Sequence, residues 1–217
     1  MSTRTTVILT LIMIATAIFL GLALYDRLPA QVASHWNAND QVDGTMPRFW
    51  GAFLMPLITL AMLGLFLLIP AIDPMKANIE TFRRPFNTFI VLIVAFLLYL
   101  HVLTALWNLG LQNFRMSAAL LPAMGLLFIF VGVMLRQARR NFSIGIRTPW
   151  TLSSDRVWDQ THRVGAALFI ISGALTALGA FFPGTIAHWF VLGPVIASSL
   201  FLVVYSYFLW RDEQTGS

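Results

Sequence analysis

Residues 7–25 read VILTLIMIATAIFLGLALY, nineteen residues without an Asp, Glu, Lys or Arg. A bilayer hydrocarbon core about 30 Å thick is crossed by about 20 apolar residues in a helix. Five more stretches are built the same way: residues 50–69, 86–107, 117–135, 164–182 and 187–210. The segments between them are short and hold nearly all the charge. In lipid the backbone must satisfy its own hydrogen bonds, which leaves helices or a closed barrel. A barrel would show alternating segments of about ten residues, and that alternation is absent. The expected fold is an all-α integral membrane protein, a bundle of six transmembrane helices.

Composition agrees. Of 217 residues 58% are apolar and 11% charged, against roughly 25% charged in soluble domains. A soluble or disordered chain is excluded. The chain has no cysteine, so thiol redox chemistry, iron–sulfur clusters and Cys-based zinc sites are excluded. The net charge of +5 reads as topology rather than as a nucleic-acid footprint, because Lys and Arg collect on the cytoplasmic side of membrane proteins. No nucleic-acid partner is expected; membrane lipids are.

Orientation follows from those cations. Arg4, Lys76, Arg83, Arg84, Arg136, Arg139, Arg140, Arg147, Arg156, Arg163 and Arg211 fall on one side of the six spans, and Arg27, Arg48 and Arg115 on the other. Both termini are therefore expected in the cytoplasm, with residues 26–49 outside. The first span is longer than a signal-peptide core, and Tyr25, Asp26 and Arg27 follow it instead of a small-residue cleavage site, so it reads as a retained anchor. Trp50, Trp107, Trp189 and Trp210 sit near span ends as an interfacial belt. Pro56, Pro122 and Pro194 lie inside spans and read as tolerated irregularities or kinks.

Two loops are richer than connectors need to be. The external one runs LPAQVASHWNANDQVDG over residues 28–44. Val32 and Trp36 are expected on one face, dipping into the headgroup layer. Asn39-Asp40 and Asp43-Gly44 are turn formers. His35, Trp36, Asn37, Asp43 and Gly44 form the candidate ligand or partner site, with a hydrogen-bonded structural turn as the plainer reading. The spacing fits neither an EF-hand nor an HExxH helix, so no metal site is assigned.

The cytoplasmic loop runs NFSIGIRTPWTLSSDRVWDQTHR over residues 141–163. Gly145 permits positive φ or close approach. Thr148-Pro149 marks an extended corner. Ser153 or Ser154 can N-cap a helix with Asp155 in its first turn. On that helix Trp158 neighbours Thr161 and His162. Trp150 and Trp158 are expected to anchor the segment at the interface, and Arg147 and Arg163 to reach phosphates or an acidic partner. Positive-inside charge with aromatic anchoring explains the Arg and Trp content, but not the mixture of Gly, Pro, Asn, Thr and His.

That mixture carries a resemblance. Asn141-Phe142-x-x-Gly145-Ile146-Arg147-Thr148-Pro149-Trp150-Thr151-Leu152, with Val157-Trp158-x-x-Thr161-His162-Arg163, resembles the signature of the SdpI family of bacterial membrane proteins. Leu28-Pro29-x-x-Val32-x-x-His35-Trp36-Asn37 with Asp43-Gly44 resembles the DUF1648 module that commonly precedes it. Many such loops have Pro where this chain has Ala33, and Gly where it has Asp40. The expected organisation is a DUF1648-like module over residues 1–70, holding spans one and two, and an SdpI-like module over 71–217, holding spans three to six. The resemblance implies immunity to a secreted toxic peptide met at the external face. It also implies a receptor role that draws a cytoplasmic repressor to the membrane. The cytoplasmic motif residues it marks are Asn141, Gly145, Arg147, Thr148, Pro149, Trp150, Trp158, Thr161 and His162.

Other features are weaker. His101 lies mid-span and reads as a neutral imidazole bonded to a neighbouring helix. Residues 182–189 faintly echo residues 28–36. Glycines in the spans allow close helix approach but form no GxxxG pair. Phosphate-binding loops, HExxH and nucleophile elbows are missing, so no enzymatic activity and no cofactor are expected. A small permease is the alternative, opposed by the lack of intramembrane acids; a membrane enzyme ranks below it.

Overall fold

The computed structural model describes residues 1–216. Six helices are long and apolar enough to cross a membrane. They are α1 (Thr3–Leu24), α2 (Arg48–Ile72), α4 (Arg83–Asn108), α5 (Met116–Leu135), α7 (Asp155–Leu178) and α9 (Trp189–Thr215). Short helices α3 (Lys76–Thr81), α6 (Pro149–Ser153) and α8 (Gly184–Ala187) lie between them. All six apolar stretches are spans. Their ends move where local chemistry favours it: α7 starts at Asp155 rather than at 164, because Ser154 caps it by accepting from the Val157 N–H.

The helices pack in two groups, α1 with α2 and α4, and α7 with α5 and α9; α4 against α5 joins them. Small residues set the closest approaches. A Cβ on Gly125 would lie 2.5 Å from the Gly173 carbonyl oxygen, and one on Gly173 equally close to the Gly125 oxygen, so α5 and α7 touch backbone to backbone. The small-residue positions serve packing within the chain. Apolar side chains such as Phe19, Leu126 and Leu200 stay exposed for lipid, most of them on α1, α2 and α9. One apolar core, including Ile79, Phe82, Phe86, Ile90 and Trp158, lies toward the end of the bundle that carries residues 136–154.

One element departs from the all-helical expectation. Residues 31–47 form an antiparallel hairpin, β1 (Gln31–Trp36) with β2 (Val42–Pro47), at the other end of the bundle. Asn37 makes its turn: its side-chain oxygen accepts from the N–H groups of Asn39 and Gln41. Asp40 sits in that turn at φ +59°, the left-handed region glycine favours. Asp43 and Gly44, expected in a turn, lie instead in β2, where Gly44 pairs with His35. The irregular alternation of β1 hides the strand from a period-two reading: Val32 is buried on Leu28 and Ala52, Ala33 is buried where Asn108 binds it, and the register shifts on either side of His35.

Candidate functional site

The hairpin is held by helix ends, not by headgroups. Val32 is 1% exposed and packs with Leu28 and Ala52. It also lies so close to Gly51 that any side chain there would collide with it. Trp36 meets Trp107 of α4 edge to face, ring centres 5.6 Å apart. The expected immersion of Val32 and Trp36 in the headgroup layer is therefore corrected: both dock on protein.

Two polar ties fasten the hairpin to the helices, and one pair bridges its own strands. The Asn108 side chain accepts from the Ala33 N–H (2.7 Å) and donates to the Ala33 carbonyl (3.0 Å), a two-point bond that a Pro at that position could not complete. Asp40 accepts from the Ser117 N–H and hydroxyl, both at 2.7 Å, so the hairpin tip is pinned to the start of α5 and thus to the second helix group. His35 Nδ1 lies 2.5 Å from the Asp43 carboxylate across the strands. Close by, Arg115 donates to the Phe182 and Ala180 carbonyls just past α7.

Beneath the hairpin is a cavity of about 560 Å³, within the size range of small-molecule sites. His35, Trp36 and Asn37 line it; Asp43 and Gly44 do not. His188 from α8's end and His101 with Thr104 from α4 add polar groups, and α2, α5 and α9 supply apolar walls. His101 is buried and directed at the Ala17 backbone of α1. Trp189 is largely exposed beside His188. Among the described residues no three His, Asp or Glu side chains gather as a metal set.

The signature loop closes the opposite end of the bundle, and its residues bond chiefly to one another. Asn141 is wholly buried and fills its amide's capacity, donating to the Arg139 and Ile144 carbonyls and accepting from the Ser143 and Ile144 N–H groups. His162 stacks on Trp158, ring centres 3.9 Å apart. Its Nδ1 lies 2.8 Å from the Trp158 carbonyl, and its Nε2 accepts from the Ile146 N–H at 2.9 Å. One nitrogen must donate and the other accept, so the ring is neutral and its tautomer fixed. Gly145 lies at φ +126° directly against His162. Thr148 caps α6 in a capping box with Thr151, with Pro149 in the first turn, and its hydroxyl meets Ser206 of α9 at 3.1 Å. Thr161 is buried on α7. Arg147 is exposed and donates to the Phe142 carbonyl.

Trp158, expected as an interfacial anchor, has no exposed surface and donates its indole N–H to the Ala138 carbonyl; it is a core residue. Trp150 is half-buried against Tyr207 of α9. The sequence reading missed Asp73. It is buried just past α2 and accepts from Met75 and Phe142 N–H groups and the Ser143 hydroxyl. It also missed Asn108 and Ser117 as anchors. A carboxylate or amide at the end of an apolar run is the signal that points to Asp73 and Asn108.

A six-span membrane protein with a hairpin-roofed cavity at one end and a self-bonded clasp at the other is the class these features define. Residues 137–206 match the SdpI/YfhL protein family and residues 11–60 match DUF1648, a domain of unknown function. The chain is 25% identical over 198 residues to the immunity protein SdpI of Bacillus subtilis (strain 168), covering 91% of this chain and 90% of that one. No solved structure matches. The chain is thus similar to the SdpI family through its C-terminal side and to DUF1648 through its N-terminal side. It is a multi-pass bacterial membrane protein, and the relative it matches over nine-tenths of its length is an immunity protein.

The exposed His35–Asp43 pair is worth little to the fold, since surface ion pairs contribute about 0–1 kcal/mol. His35→Ala should leave the melting temperature in detergent within the scatter of the unmodified protein's, measured by intrinsic tryptophan fluorescence. A large drop would mean that the pair holds the hairpin.

Proposed function

We propose that the protein protects its cell from a secreted membrane-active peptide, which meets the hairpin end of the bundle on the external side of the inner membrane. The observation that carries this reading is the cavity at that end. His35, Trp36 and Asn37, the residues marked by the DUF1648 resemblance, face it, in a chain related over nine-tenths of its length to an immunity protein. The signature loop then braces the far end in the cytoplasm. A regulator drawn there would meet what the clasp leaves outside: Phe142, Arg147, Pro149, Arg156 and Arg163.

Survival of toxin-sensitive cells with and without the protein, across a panel of membrane-active peptides, tests the reading. Protection against at least one peptide is expected; equal killing throughout overturns it. The orientation has its own test, made clean by the absence of native cysteine. In intact cells Ala38→Cys should react with a membrane-impermeant maleimide, and Pro149→Cys only after lysis. Both sites are exposed. The reverse pattern would put the cavity on the cytoplasmic side.

A further inference from the structure

We infer that the cavity under the hairpin is a binding site for the uncharged apolar side chains of an amphipathic peptide lying in the membrane, entered sideways between α2 and α9 and tolerant of sequence. The inference rests on the immunity reading and names what that site takes. Three observations carry it.

The first is the lining's charge. No Lys or Arg contributes to it, and its one carboxylate, Asp40, has each oxygen committed to Ser117. A carboxylate, phosphate or ammonium placed there would lose hydration without meeting a Lys, an Arg or an uncommitted carboxylate to pair with, so the site favours uncharged groups. The second is the wall material. Met46, Met55, Met116 and Met124 all face the space, four of the chain's nine methionines. Unbranched thioethers re-pack around different shapes and recur on surfaces that bind many peptides. The third is size and access. Two turns of a helix about 10 Å wide and 5.4 Å in pitch occupy roughly 850 Å³, more than the cavity's 560 Å³. Side chains fit; a whole helix does not. α4 and α5 pack together behind the cavity, while α2 and α9 flank it without an extensive contact of their own. Exposed Trp50 and Leu192 stand on those two flanks. A peptide resting on the bilayer at that depth can insert its apolar face without leaving the membrane, and the half-buried Ser34 and Asn37 of the hairpin offer polar groups at the rim.

The test uses the full-length protein in nanodiscs of phosphatidylethanolamine and phosphatidylglycerol. The probe is an amphipathic Leu–Lys peptide with one Leu replaced by benzoylphenylalanine. After illumination, cross-links mapped by mass spectrometry should fall on the four cavity methionines. Leu120→Trp and Leu54→Trp, which fill the cavity from different helices, should each lower that yield several-fold. Leu126→Trp, of equal bulk on the lipid face, should not. Cross-links confined to lipid-facing positions, or undiminished by both filling variants, overturn the inference. So does a photoreactive phospholipid that labels the same methionines and is not displaced by the peptide, since the occupant is then an acyl chain. Cell survival separates the two readings. Filled variants that melt and protect as the unmodified protein does sink this inference and leave immunity standing; an unmodified protein that protects against nothing sinks immunity.

Discussion

Gly145→Ala should lower the melting temperature of the detergent-solubilised protein by roughly 6–12 °C, taking about 3 kcal/mol at about 2–4 °C per kcal/mol for a chain of this size. Two costs combine. At φ +126° a residue with a Cβ is strained by about 1–3 kcal/mol. The new carbon would also lie against His162 Nε2 and 3.1 Å from two ring atoms of Trp158. Neither ring can yield cheaply: Trp158 is enclosed and bonded to Ala138, and His162 is stacked on it and bonded through Nδ1. If His162 moves, the Ile146 N–H loses its acceptor, which costs about 1–3 kcal/mol for a buried donor. The effect is local to the clasp, so Phe142→Ala, at an exposed side chain three residues away, should stay within about 0.5 kcal/mol of the unmodified protein. Equal melting of Gly145→Ala and the unmodified protein would mean that the loop is not what fastens this end of the bundle. The same geometry bears on function. A loop whose polar groups are spent on each other cannot serve as a docking surface through Asn141, Trp158 or His162; any regulator must read the exposed arginines around it.

The spans were legible because lipid imposes one rule on every residue of a crossing: nineteen or more apolar side chains without a charge leave no other structure. Position along the chain also narrowed the cap to Ser153 or Ser154, of which the fold uses Ser154, and gave the neighbourhood of Trp158 and His162, a fact of helical spacing. The hairpin was not legible. Its strands follow no clean alternation, because β1 is covered on both faces at Val32 and Ala33, its register shifts at His35, and β2 is largely exposed. Trp158 was misplaced for a related reason. Tryptophan near a span end is apolar enough for a core and polar enough for an interface, and only the Ala138 carbonyl, twenty residues away, decides between them. The same holds for Asp73 and Asn108. Their partners lie 69 and 75 residues away in sequence, so no local pattern reveals that one closes the clasp and the other anchors the roof. Asp40 shows how a departure from a family pattern becomes intelligible in three dimensions. It keeps the left-handed turn that glycine would allow, and gives the carboxylate that ties the tip to Ser117.

Asn108→Ala should release the hairpin from α4 while leaving the spans intact. The substitution removes both bonds to Ala33 and leaves that buried residue's N–H and C=O facing a helix end without partners. At about 1–2 kcal/mol for each stranded group, the lower part of the usual range because both bonds are part-buried, the local cost is about 2–4 kcal/mol. Every 1.4 kcal/mol is a factor of ten, so exchange of the Ala33 amide hydrogen should accelerate by roughly 30- to 700-fold. Amides in the middle of α5 and α7, joined through Gly125 and Gly173, should keep their rates. Asn108→Asp separates the two bonds: the carboxylate still accepts from the Ala33 N–H but cannot donate to its carbonyl, so its exchange rate should fall between the two. The hairpin roofs the cavity, so a released roof predicts a second effect. Asn108→Ala cells should lose protection even though the protein reaches the membrane in normal amounts. Fast Ala33 exchange with protection intact would show that the hairpin is an ornament of the fold and that capture of the peptide happens elsewhere. Slow exchange in Asn108→Ala would show that Val32 and Trp36, through their packing on Ala52 and Trp107, hold the roof without the amide.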